Sequence, residues 1–117
     1  MLKTALLIEK EKTIRESFGR LAQDYKHEVQ LLIAENETSA AEILFANPEI
    51  NCLITEGPIL ERMAAVRRDF PRLKTIELSP EESKLKEMLA NETLHIQDCL
   101  SALLNSLLLR MQILYPD

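Results

Sequence analysis

A chain of 117 residues fits one domain, 1–117, built around one core. Its 46% hydrophobic and 28% charged content is ordinary for a globular protein, and its net charge of -5 argues against non-specific nucleic-acid binding over the whole surface. No window approaches the ~18 uninterrupted apolar residues of a membrane span, and the apolar stretch 5–8 is too short for a signal peptide, so a cytoplasmic protein without membrane contact is expected.

The pattern predicts a first strand over Lys3–Ile8, an apolar run that stops at a charged cluster. A helix is predicted over residues 13–25, with Ile14, Phe18, Leu21 and Ala22 on one face. Residues 28–34, rich in Val, Leu and Ile, read as the second strand. The next helix spans 37–45, capped by Asn36 or Thr38 and ended by Pro48. A short buried strand follows over 51–55, then a helix over 59–68 closed by Phe70-Pro71. Residues 73–78 read as the fourth strand. Ser79-Pro80-Glu81-Glu82 is a strong helix start, with a capping hydroxyl, a proline in the first turn and acids that complement the dipole. Residues 93–96 read as a weak fifth strand and 97–114 as a long Leu-rich helix.

Five strands alternating with five helices predict an α/β fold: a flavodoxin-like, doubly wound sheet of five parallel strands in a single domain. Glycine is scarce, with only Gly19 and Gly57, and no Gly-rich phosphate loop exists, so a dinucleotide-binding reading is poor. Cys52 and Cys99 sit in apolar contexts and read as buried, reduced thiols. Two Cys and two His at these spacings do not make a metal site. No metal or other cofactor is expected.

Four stretches, in order and near-correct spacing, resemble the response-regulator receiver domain over nearly the whole chain. They are Leu7-Ile8-Glu9-Lys10 with Thr13-Ile14-Arg15, then Asn51 to Glu56, then Leu60-Glu61-Arg62-Met63 running to Asp69-Phe70-Pro71, then Thr75 to Ser79. The resemblance implies a site at the carboxyl ends of the strands, where receivers hold magnesium on paired acids and phosphorylate an aspartate. The matching positions here are altered. The acid pair reads Glu9-Lys10, the phosphoacceptor position is Glu56, and the lysine of the fifth strand falls on Gln97 or Asp98. The usual aromatic switch position is Leu94 or His95. Only the switch hydroxyl, Ser79, is kept, and it reads better as the cap of the next helix. A carboxylate one methylene longer displaces the nucleophile, and an ammonium in the ligand position repels a divalent cation. Lys10 is expected to pair with Glu9 or Glu56 in place of the metal.

On the final helix Leu100, Leu103, Leu104, Leu107, Met111 and Leu114 make one apolar face, which Leu108, Leu109 and Ile113 widen beyond what a sheet contact needs. An interface is expected there, at Leu100, Leu104, Leu107, Leu108, Leu109 and Met111, supporting a homodimer. The basic residues Arg62, Arg67, Arg68, Arg72 and Lys74 read as a solvated face or a docking patch for an acidic partner. Nucleic acid fits them less well, because aromatic residues are nearly absent. The combined expectation is a degenerate receiver: a non-enzymatic signalling module acting through protein–protein contact. Two alternatives are an atypical receiver still phosphorylated or metal-binding at Glu56, with Glu9 and Glu11 as ligands, and an accessory wing domain of a larger enzyme.

Overall fold

In the computed structural model, which describes residues 3–25, 29–84, 105–107 and 109–110, the apolar run Lys3–Ile8 forms β1. Helix α1 spans Lys12–Ala22 and ends in a short 3-10 turn, Gln23–Tyr25. Strand β2 is Val29–Ala34 and helix α2 is Glu37–Ala46. Asn36 is the cap of α2: its side-chain oxygen accepts the Ser39 amide at 2.8 Å. Strand β3 is Cys52–Thr55, and every one of its side chains is buried. The helix expected over 59–68 is two short helices, α3 at Gly57–Arg62 and α4 at Ala64–Arg68. It starts earlier because Pro58 suits the first turn. At the break the Arg67 guanidinium donates to the Leu60 carbonyl at 3.3 Å, and the Met63 side chain turns into the core. Strand β4 is Lys74–Glu77, and residues 80–84 are helical, as the Ser-Pro start predicts.

All strand pairings are parallel, in the order β2-β1-β3-β4. Chain order reverses between β1 and β3, which makes their carboxyl ends the switch point of a doubly wound sheet. The alternation of each strand sorts the core into two layers. Ala5, Leu7, Cys52, Ile54 and Ile76 pack against Ile14 and Phe18 of α1. Leu6, Ile8 and Leu53 pack on the other face against Ala40 and Leu44 of α2 and Leu60 of α3. The result is an α/β fold with one parallel four-stranded sheet, compatible with a flavodoxin-like architecture. The expected fifth strand, 93–96, lies outside the described residues, as do Gln97, Leu100, Leu104, Leu108 and Met111.

The described part of the last helix corrects one expectation. Leu107, assigned to an interface, is only 2% exposed and belongs to the core layer of α1. Its helical position faces the sheet, whereas Leu109, two residues on, is 60% exposed. Among the described residues no helix is long and apolar enough to cross a membrane.

Candidate functional site

Polar side chains gather where β1 and β3 end. Glu9 follows β1 directly, and its backbone N–H still bonds to the sheet, donating to Ala34 O at 2.9 Å. That register holds the carboxyl group inside the fold, 2% exposed, where one oxygen accepts the Glu11 amide at 3.0 Å. The turn after it is clamped from α1. Arg15 Nη1 donates to the carbonyls of Glu9 at 3.1 Å and Lys10 at 2.7 Å, and its other terminal nitrogen lies 3.8 Å from Glu35. A guanidinium thus occupies the carbonyls of the β1–α1 turn, one of the oxygen types a hard cation would seek.

Lys10 is exposed and opens onto a crevice of about 290 Å³. Ile8, Pro58 and Ile59 give it an apolar floor, and Glu35, Asn36, Glu37, Glu56 and Arg62 give it a charged rim with Lys10. On that rim Arg62 pairs with Glu37 through Nη2 at 2.5 Å and Nε at 2.7 Å. The hydrogen bond and charge of Glu37 push the Arg62 guanidinium still higher in pKa. Lys10 and Glu56 therefore share one crevice, as the strand ends require. The expected ion pair of Lys10 with Glu9 or Glu56 is not formed: Lys10 Nζ has no ion-pair partner among the described residues. An exposed ammonium gains little from such a contact, and Glu9 is enclosed behind its own turn.

Glu56 is half-buried at the start of α3, where its carbonyl accepts the amides of Ile59 and Leu60, both at 3.1 Å. A second opening of about 400 Å³ lies on its other side, lined by Gly57, Glu77, Leu78, Pro80 and Ser83. A methyl group at Gly57 would meet the carboxylate end of the exposed Glu77 side chain, which can swing aside. Among the described residues no group of three or more His, Cys, Asp or Glu is placed to hold a metal ion.

Ser79 is a cap. Its hydroxyl accepts the Glu82 amide at 3.1 Å, and Glu82 answers by accepting the Ser79 amide at 2.8 Å. This is a reciprocal capping box. Glu82 is 3% exposed and reaches further: Ser106 donates to its second oxygen at 2.9 Å, and Arg110 donates to the first at 2.5 Å. Burial acts to raise its pKa, but these hydrogen bonds and the Arg110 charge outweigh it and hold the carboxyl below its ordinary value. The spacing of serine and acid at 79 and 82 signals the box. Nothing local signals the partners 24 and 28 residues away. Arg15 is missed for a similar reason: the sequence pattern marks its helix, not its reach back over the turn.

No protein-family model, curated protein or solved structure matches this chain.

Proposed function

We propose that this chain is a receiver-like regulatory module that works without phosphorylation, by binding other protein surfaces in the cytoplasm. In this reading residues 93–96 add a fifth parallel strand beside β4, and the last helix forms a homodimer or docks a signalling protein. The module has no enzymatic chemistry, needs no cofactor, and engages neither nucleic acid nor membrane. One observation carries the reading: at the switch point, where open α/β sheets build their sites, a lysine and a one-methylene-longer acid share the crevice. A cation stands where magnesium chemistry needs an acid, and Ser79, the hydroxyl that matches the receiver switch position, is engaged in a helix cap.

The test is direct. The protein is incubated with acetyl phosphate and millimolar magnesium, then weighed intact under mild conditions. Its amide NMR spectrum is followed in parallel, with and without beryllofluoride. The expected outcome is unchanged mass and no saturable shifts at Glu9, Glu11 or Glu56. A stable gain of one phosphoryl group that Glu56→Gln abolishes overturns the reading in favour of an atypical, still-active receiver.

A further inference from the structure

The amino edge of the sheet carries a surface that the switch-point crevice does not explain. Phe45, at the end of α2, is 62% exposed. Its ring meets Phe70 edge-on, with centroids 5.1 Å apart and planes 61° apart. Two of the three phenylalanines of the chain are thus spent on one contact that leaves the outer ring in water. Burying that ring elsewhere would be favourable, so its exposure has a continuing cost.

Phe70 sits between two successive tight turns. Its amide donates to Arg67 O at 3.0 Å, and its carbonyl accepts the Leu73 amide at 3.0 Å. Arg67, Arg68, Arg72 and Lys74 flank it along the chain through these turns, with Asp69 as the single acid between 67 and 74. Arg68, Arg72 and Lys74 are exposed and form no ion pair among the described residues. The chain as a whole carries -5, so four cations within eight residues stand out against it. On the Phe45 side the charge changes sign, with Glu42 and Glu49 exposed.

We infer that the Phe45–Phe70 pair and the Arg68, Arg72, Lys74 cluster form a docking surface for an acidic protein segment that carries one large apolar side chain. The apolar side chain packs on the exposed face of Phe45, and the acids lie along the turns of residues 67–74. Aromatic and arginine residues are the side chains on which interface energy concentrates, and unpaired cations set orientation and association rate. Glu42 and Glu49 fix the polarity, because an acidic segment running over α2 meets like charge. The inference is independent of the receiver-like reading, since it uses the opposite edge of the sheet.

The test uses the full chain, labelled with nitrogen-15, and a synthetic glutamate-rich peptide with one central tryptophan. Controls are the same peptide with glutamine for glutamate, and a short single-stranded oligonucleotide. Expected are shifts confined to Phe45 and residues 67–74, weakened by salt and absent with the glutamine peptide. Phe45→Ala, and Arg68→Glu combined with Arg72→Glu, should each weaken binding about tenfold. Both changes fall on exposed side chains, and circular dichroism checks that the fold is kept. Absence of peptide shifts, shifts scattered over other faces, or binding by the oligonucleotide alone overturns the inference.

Discussion

Burial pushes the Cys52 thiol up to about 12, against the opposing pull of the Arg110 guanidinium. The side chain lies fully inside the α1 layer of the core, so it is both neutral and shielded. Treatment with iodoacetamide at pH 8 should leave Cys52 unmodified in the native protein and modify it fully in urea, as peptide mapping reads out. Labelling of native Cys52 within minutes contradicts the packing described here. Because the folded value lies above the ordinary 9.0, the neutral thiol contributes stability below that pH. The contribution is lost as pH rises toward about 12, where the unfolded chain has already ionised. The buried, reduced state of this residue was legible from its apolar neighbours Leu53 and Ile54. The state of Lys10 was not. Sequence places it beside two acids, but does not show that Glu9 is buried while Lys10 stays exposed beyond a turn clamped by Arg15.

At the scale of elements, the helical start at 80–84 is tied to the last helix through one buried carboxylate. Glu82 receives Ser79, Ser106 and Arg110, so its loss strands several donors at once. Glu82→Ala should cost about 2–4 kcal/mol in urea unfolding at neutral pH. Arg110→Ala should cost less, because its guanidinium is partly in water. The lowered pKa gives the sign with acid. The carboxylate contributes its full stability above about 4.5, and that contribution disappears as pH falls through the lowered folded value. Glu82→Gln should therefore flatten the loss of stability below pH 4.5, and wild-type-like acid sensitivity in that variant would refute the assignment. Strands and long helices were readable because period and composition are local. The split at Met63 was not readable, since Leu60, Met63 and Val66 keep a helical spacing straight through it. Nor was the pairing of residue 82 with 106 and 110, which depends on how the chain folds back.

For the whole molecule, the last helix presents two opposite outlooks within three residues. Leu107 faces the core layer of α1, and Leu109 faces outward. If the broad apolar face of residues 97–114 is an interface, Leu109→Glu should lower association in sedimentation by about tenfold while circular dichroism stays unchanged. Leu107→Glu should instead unfold the chain, because it places an unpaired charge in the core. Association unaltered by Leu109→Glu would remove this helix position from the interface. The order of layers and the direction of the strands were legible from alternation alone. What the sequence could not show is which of two neighbouring leucines belongs to which side, since both satisfy the same apolar pattern.

The central place of β1 has a consequence for how the chain acquires its structure. Leu6 and Leu7 pair with β2 on one edge, at Leu32 and Ile33, and with β3 on the other, at Leu53 and Ile54. Strand β1 is therefore made before both of its neighbours, and its pairing is complete only once β3 has followed, nearly fifty residues later. Until then its four-residue apolar stretch, Ala5 to Ile8, is a sticky, half-paired ribbon of the kind that slow parallel topologies leave exposed. The charges that follow it at once, Glu9 to Lys12, break that ribbon and act as gatekeepers during synthesis. The same residues that stand at the switch point in the finished protein thus have an earlier occupation, keeping the nascent chain from joining its neighbours.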